Sequence, residues 1–477
     1  MKRREFLSKM GKTTGSFLGC GTMLSVLDGC LSTSKEKKWN IVFILSDDLG
    51  WNQVDYHGFE FYETPNIERI AREGMYFTDA YAASPVCSPT RASIMTGKYP
   101  ARLHITDYIP GNPFPYQKLI TPQQTQGLPL EEVTIAELLK SEGYVAGHFG
   151  KWHLNKDKNY EPGRPGDPRS QGFDEVFTSV KPKPDADPDR DAHHTIEITK
   201  RSLKFIESNK NNPFFCYVSY HAVHRPIMES KALVDKYKAK PNSDKSYNNP
   251  IMGAMIEQMD SGIGNILNKL EELKLADKTI VIFFSDNGGL EQLQSQYPLR
   301  MGKATIYEGG LKVPLAIRWP GVVKPGTKST VPVISIDFFP TLMEVVGIKN
   351  SIEGIDGESF VPLLKQTGGL KRDAIYFHYP HYHHQGFKPA SAIREGDYKL
   401  IEWYEPTLYD EDNQISLFNV REDIGETIDL AKEMPELAAR LREKLHKWRR
   451  SIGAQAMPIN PNYNPQKADW RFLDRKD

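Results

Sequence analysis

Four cysteines in 477 residues are too few for a disulfide framework, and two of them, Cys20 and Cys30, fall within the first 30 positions. That leaves Cys87 and Cys216 with no paired spacing, so no structural disulfide is expected. Neither sign of charge is in excess, with 61 Lys and Arg against 61 Asp and Glu. This balance excludes a basic nucleic-acid binder and a uniformly cationic glycan trap, and makes any anion recognition local. Also missing are an internal repeat, a low-complexity tract and an apolar run of membrane-spanning length. The early stretch from Ser16 to Leu27 is too short and too polar to span stably. The length exceeds an average domain and allows a large core, which favours one large domain with a smaller appendage.

The start of the chain reads as an export signal over residues 1–30, with basic Lys2, Arg3 and Arg4 ahead of Phe6, Leu7 and a weakly apolar stretch. Arg3 to Leu7 resembles the twin-arginine motif. Leu27, Asp28, Gly29 and Cys30 resemble a lipobox that would lipidate Cys30, although Asp28 is unusual there. Residues 31–38 follow as a polar tether. The destination implied is the periplasm or surface of a bacterium, with membrane contact only through a lipid anchor at Cys30; the plainer alternative is the basic amphipathic N-terminus of a cytosolic protein.

From Trp39 onward, strand-like apolar runs alternate with helical patterns, the mark of an α/β fold with a large, mixed but mostly parallel sheet flanked by helices. Asn40 to Ser46, Tyr144 to Phe149, Pro213 to Tyr220 and Thr279 to Ser285 read as strands. Thr134 and Glu137 form a capping box ahead of Ile135, Leu138 and Leu139, and Ile251 to Leu273 reads as a long helix. Residues 39–365 make the catalytic domain in this reading. Residues 366–477 make a smaller α+β subdomain, with strands at Ser391 to Arg394 and Tyr398 to Trp403. A helix from about Pro435 to Arg450 carries the stripe Leu437, Leu441, Leu445, Trp448.

Chemistry-bearing residues follow the strands. Asp47 and Asp48 come directly after the first, Asp286 and Asn287 after Thr279 to Ser285, and each pair alone reads equally well as turn or helix-cap residues. Together, if the strands are parallel, they form a hard oxygen set suited to Ca²⁺ or Mg²⁺ rather than zinc. Lys151 and His153 follow another strand, and His221 and His224 a fourth. Cys87 opens Cys87, Ser88, Pro89, Thr90, Arg91 and runs on to Gly97. A lone cysteine is most often a small buried hydrophobe.

The Cys87 run, the Gly150 to Leu154 block, the His221 to Pro226 block and the Gly302 to Gly310 segment resemble, in that order, the type I sulfatase family of the alkaline phosphatase-like superfamily. The likeness is dense over residues 40–365. It continues loosely through Leu417 to Val420 and Gly425, Glu426. Ala304 and Ile306 depart from it, standing where glycine and threonine are common.

The resemblance implies a sulfuric ester hydrolase in which a maturation enzyme converts Cys87 to formylglycine (3-oxoalanine). One hydroxyl of its hydrate attacks sulfur to give a covalent sulfo-enzyme. It further implies one Ca²⁺ per chain held by Asp47, Asp48, modified Cys87, Asp286 and Asn287. Arg91 would neutralise the nucleophile, Lys151, Lys303 and His224 would hold the sulfate, and His153 would take the proton when sulfate leaves. A sulfated carbohydrate is the substrate expected, either an algal polysaccharide or a glycosaminoglycan fragment. His378, His381, His383 and His384, with Arg394, form a candidate sugar subsite; a solvated histidine-rich loop or a separate metal site fits the same cluster. The competing readings are a phosphonate or phosphate ester hydrolase of the same superfamily and an inactive glycan-binding lipoprotein.

Overall fold

The computed structural model describes residues 38–155, 164–348, 352–385 and 387–468. The export signal, the Cys30 lipobox and residues 31–37 of the tether lie outside them. No helix among the described residues is long and apolar enough to cross a membrane.

The strands in chain order are β1 Asn40–Ser46, β2 Met75–Phe77, β3 Ala80–Tyr81, β4 Val145–Gly150, β5 Glu175–Thr178, β6 Phe214–Ser219 and β7 Thr279–Ser285. They continue as β8 Leu315–Arg318, β9 Thr327–Ser329, β10 Val333–Ile334, β11 Ala374–Tyr379, β12 Ala390–Glu395, β13 Tyr398–Trp403 and β14 Ile415–Asn419. The main sheet has the order β5-β4-β6-β1-β7-β8-β2-β9. From β5 to β7 every pairing is parallel, and β8 alone runs against the rest.

β1 is buried throughout, and apolar from Ile41 to Leu45, because both of its faces are covered. Ile41, Phe43 and Leu45 point into a core with Ala92, Ile94, Ile135 and Phe338. Val42 and Ile44 point into another with Ile198, Phe205, Met259 and Ile263. Helices Cys87–Thr96 and Ile135–Ser141 therefore lie on one face, Thr195–Ser208 and Pro250–Glu272 on the other. Thr134 caps its helix as expected: Glu137 N–H donates to Thr134 Oγ1 at 3.2 Å and Thr134 N–H to Glu137 Oε2 at 3.1 Å, an arrangement worth about 1 kcal/mol.

The smaller sheet, β11-β12-β13-β14, is antiparallel. Helix Pro435–Ser451 lays Ala438, Leu441, Leu445 and Trp448 against it, each large apolar side chain contributing about 1.5–3 kcal/mol by burial. Trp448 stacks on Tyr376 at 4.8 Å and meets Tyr99 edge-on at 5.0 Å. One apolar cluster thus runs from this sheet to Tyr81, Val86, Ala304 and Tyr307 beside the main sheet.

Gly150 ends β4 with φ 112°, and a Cβ there would lie 1.9 Å from the Ser219 carbonyl oxygen. That close approach lets Lys151 N–H donate to Ser219 O at 2.9 Å, which carries the β4 end across to β6. Gly150→Ala is expected to destabilise the protein by more than about 2 kcal/mol, combining an unfavourable φ with a steric clash. Urea unfolding measures it; a loss below about 0.5 kcal/mol would show that the sheet edge yields.

Candidate active site

Parallel register brings four strand ends to one edge. Ser46 pairs with Ser285, Leu45 with Ser219, and Ser219 with Gly150. The residues that follow these positions, Asp47, Asp48, Asp286, Asn287 and Lys151, are all buried. Asp48 and His153 adopt φ 63° and 57°, left-handed conformations that cost roughly 1–3 kcal/mol each and that surrounding contacts must hold in place. For Asp48 such contacts exist: its N–H donates to Asp286 Oδ1 at 3.2 Å, and Asp47 N–H to Ala222 O at 2.9 Å.

Cys87 begins a ten-residue helix buried along its whole length. Arg91, one turn on, shares its face. The Arg91 Nε donates to Asp286 Oδ2 at 2.8 Å, while Nη1 donates to Lys151 O at 2.9 Å and to Ser219 Oγ at 2.7 Å. Ser88 Oγ accepts Ile109 N–H at 3.0 Å. The Ile109 carbonyl in turn lies 2.8 Å from His153 Nε2, and His153 Nδ1 lies 3.3 Å from Cys87 Sγ. A carbonyl can only accept, so Nε2 carries the proton and Nδ1 presents its lone pair to residue 87. Burial, reinforced by Lys151, holds His153 well below the usual imidazole range. It is therefore a neutral base. Burial also pushes the Cys87 thiol up, against the pull of Lys151 and Lys303.

Lys151 Nζ lies 2.6 Å from Asp47 Oδ2, and Lys303 Nζ 2.6 Å from Asp48 Oδ1. Burial raises the Asp47 carboxyl, but Lys151, His224 and Arg91 outweigh it and hold the group well below the ordinary carboxylate range. Burial and the Asp47 charge push Asp286 up to about 6 in spite of Arg91. His224 Nδ1 donates to its neighbour's carbonyl, Arg225 O, at 2.6 Å, which leaves Nε2 facing Asp48 Oδ2 at 3.9 Å. His221 is bonded through Nε2 to Ser179. Of the two histidines, His224 is the one turned to the acidic pair.

Two oxygens in this cluster, Asp47 Oδ1 and Asn287 Oδ1, are buried without a hydrogen-bond partner. A buried carboxylate oxygen and a buried amide oxygen left without partners are costly unless a cation completes them. Ligand atoms of Asp47, Cys87 and Asp286 all lie within 4.8 Å of one another, as do those of Asp47, Asp48 and His224. The residues present fit a hard divalent cation.

The structure thus brings together Asp47, Asp48, Cys87, Arg91, Lys151, His153, His224, Asp286, Asn287 and Lys303. It does not bring the expected sugar subsite with them as a unit. His378 is buried, bonded to Ser391 Oγ and Gln455 O, and His381 to Thr106 Oγ1 at 2.7 Å. Arg394 is spent on Asp79, at 2.6 Å, and Tyr81. These three are internal because partners from distant segments satisfy them, which their polarity alone does not reveal. His383 is buried and His384 exposed, and both meet the Tyr108 ring edge-on at 5.8 and 6.3 Å. Burial and the neighbouring Asp107 push the Tyr108 phenol up. Tyr108 and the Ile109 carbonyl carry no motif that marks them in the sequence, and Arg225 lies within the His221 to Pro226 block with nothing there to single it out. Ala304 has φ 72°, so the glycine common at that position has a backbone reason.

A family model described as Sulfatase matches residues 39–348. The chain belongs to the sulfatase family. A second model, N-sulphoglucosamine sulphohydrolase, C-terminal, matches residues 300–451. The sulfatase is 30% identical to a Formosa agariphila protein named Sulfatase, over 90% of this chain and 92% of that one. It is 32% identical to human N-acetylgalactosamine-6-sulfatase, over 71% and 68%. The solved structure of Ps i-CgsB in complex with k-i-k-neocarrahexaose superposes with TM-score 0.73 at 26% identity, covering 89% of this chain and 94% of that one. The protein is a sulfuric ester hydrolase of alkaline phosphatase-like fold.

Calcium added to chelator-treated sulfatase is expected to raise its unfolding midpoint, by about 2.7 kcal/mol of stabilisation at 100 times its dissociation constant. Asp47→Ala and Asn287→Ala should abolish that shift. A midpoint indifferent to calcium in the unmutated protein would reject the cation site.

Proposed function

We propose that this sulfatase removes sulfate from a sulfated, polyanionic carbohydrate by way of a formylglycine made from Cys87. The observation that carries the proposal is the His153 ring, its Nδ1 lone pair aimed at residue 87 and its Nε2 proton tied to the Ile109 carbonyl. A thiol 3.3 Å from a proton-accepting base has no evident use for sulfate chemistry as it stands; Cys87 Sγ marks where the modified residue would carry oxygen. Formylglycine hydrate supplies two geminal hydroxyls, one to attack sulfur and one whose proton is lost when sulfate departs. A divalent cation at Asp47, Asp48, Asp286 and Asn287 would lower the cost of negative charge on the attacking oxygen.

The chain's own residues do the remainder. Lys151 and Lys303 place two ammonium groups beside the acids, where they can turn to the sulfate oxygens and meet charge as it moves toward the leaving oxygen. His224, its Nδ1 proton held by the Arg225 carbonyl and its ring kept neutral by burial and by Lys303, turns an Nε2 lone pair toward the site, so the proton for the departing alcohol would come from the Lys303 ammonium. His153 Nδ1 takes the proton released on the residue-87 side. Arg91, fixed by three bonds, keeps the Cys87 helix at a constant distance from Asp286.

The carbohydrate class is supported by the named relatives, one a hexosamine-6-sulfatase and one bound to a carrageenan oligosaccharide, and by the rim of the pocket. Arg225, next to His224, gives Nη2 to Gln292 at 3.2 Å, while its Nε is buried with no hydrogen-bond partner. A second sulfate or a carboxylate on the same sugar would complete that guanidinium. Tyr108 and His384 offer ring faces for the sugar. Export and the Cys30 anchor belong to the same reading and rest on residues 1–30.

Sulfate release across carrageenans, chondroitin and heparan fragments, an aryl sulfate and an aryl phosphate tests the function, with mass spectrometry of the Cys87 peptide in the same sample. Release from one glycan, a formylglycine mass and total loss in Cys87→Ala are expected. Phosphate release with no sulfate release would overturn the function. Arg225→Met should raise KM about tenfold for a doubly charged fragment, the value of one charge-assisted bond, and leave aryl sulfate KM unchanged. Equal KM changes on both would remove the second-anion role.

A further inference from the structure

Lys303 belongs to a segment that is held from both sides. Its own N–H donates to Gly289 O at 2.8 Å, behind the β7 acids, and Ala304 N–H donates to Pro85 O at 2.8 Å, two residues before Cys87. The segment then folds into the short helix Glu308–Leu311. Its far end is fixed by the pair Gly425, Glu426.

Glu426 follows β14 in the smaller unit, yet it is fully buried against the Lys303 segment. Glu308 N–H donates to Glu426 Oε2 at 2.6 Å, and Arg300 Nη1 to the Glu426 carbonyl at 2.8 Å. Residues 300 and 308 bracket Lys303, and Gly309 N–H closes the bracket on Arg300 O at 3.0 Å. Lys399, on β13, lies 3.0 Å from both Glu308 Oε1 and Glu426 Oε1, and all three side chains are 0% exposed. Tyr81 OH donates to the other Glu308 oxygen at 2.6 Å. The Arg300 guanidinium covers the Tyr307 ring at 4.1 Å, and that ring packs on Trp403 and Phe418.

Burying a lysine between two carboxylates is a poor way to gain stability, since well-packed apolar side chains of the same volume do as well or better. What such a network can do is fix one arrangement of the backbone. Here it fixes the two ends of the loop whose middle holds Lys303 Nζ at Asp48.

We propose that Glu426, backed by Lys399, is a positioning residue for Lys303: the smaller unit sets the place of the sulfate-binding ammonium by gripping the loop at Arg300 and Glu308. Glu426 touches no reacting atom and acts only through that loop. Its role rests on Lys303 acting on the sulfate, as proposed above.

The test is a double-mutant cycle in the full-length, matured enzyme with Glu426→Ala, Glu426→Gln and Lys303→Ala, using whichever substrate of the panel releases sulfate fastest. Glu426→Ala should lower kcat/KM about 30- to 100-fold, the scale of an ångström-sized misplacement. Glu426→Gln keeps an acceptor for Glu308 N–H and should recover at least about a third of the lost factor on a logarithmic scale. On the Lys303→Ala background, Glu426→Ala should cost less than about twofold more, while its effect on the unfolding midpoint should be the same in both backgrounds. If Glu426→Ala does not fold, Glu426→Gln carries the cycle. Multiplicative losses in kcat/KM, or full activity of the Glu426 variants, overturn the proposal while the site stands. An unimpaired Lys303→Ala overturns the role of Lys303 and the proposal with it.

Discussion

The buried pair of Arg91 and Asp286 is the contact on which the rest of the site depends. The guanidinium is 1% exposed and the carboxylate 0%, so both ions have given up water, and only several well-aimed bonds can offset that cost. Arg91 makes them to three elements at once: Asp286 after β7, the Lys151 carbonyl after β4, and Ser219 at the end of β6. A planar fork of donors can do this and a lysine cannot. Because Arg91 and Cys87 share a helix face, the position of residue 87 is set by the same bonds that close the sheet edge.

Charge follows from that arrangement. Asp47, Asp48 and Asp286 face Arg91, Lys151 and Lys303, three against three, and each acid is within 3 Å of one of the cations. The cluster is balanced before any ligand enters, which is why Asp47 stays deprotonated despite complete burial. A divalent cation added at the orphaned oxygens would leave an excess of positive charge. An anionic ester is the natural complement to it, and release of the two lysines from Asp47 and Asp48 would make them available to that ester.

The strand ends were legible in the sequence because chemistry and local structure coincide there. A short, almost uninterruptedly apolar run such as Asn40 to Ser46 reads as a strand buried on both faces, and the polar residues after it then fall at a sheet edge. The capping box at Thr134 was legible for the same local reason. Contacts between distant segments were not: the Ile109 carbonyl that orients His153 lies 44 positions away from it, and Glu426 lies 118 from the Glu308 amide it accepts. His378 and Arg394 show the converse. Their polarity promises solvent or ligand, but Ser391, Gln455, Asp79 and Tyr81 supply the partners from within the fold, and no local pattern announces a partner.

The choice between sulfate and phosphate chemistry turns on where positive charge is fixed. A phosphate monoester brings up to two negative charges to its enzyme, and two divalent ions held some 4 Å apart are a common answer to them. Here the two groups of ligand atoms that approach closely enough for a metal ion both contain Asp47, so among the described residues they converge on one carboxylate. The ground on either side is taken by Lys151 Nζ, 2.6 Å from Asp47, and Lys303 Nζ, 2.6 Å from Asp48. Ammonium groups donate several short hydrogen bonds while carrying one charge each, and they can follow oxygens that move during in-line displacement. That combination of a shared acidic cluster with two flanking monocations suits a sulfate monoester, whose single charge is spread over three oxygens and grows mainly at the leaving oxygen as the bond to sulfur breaks.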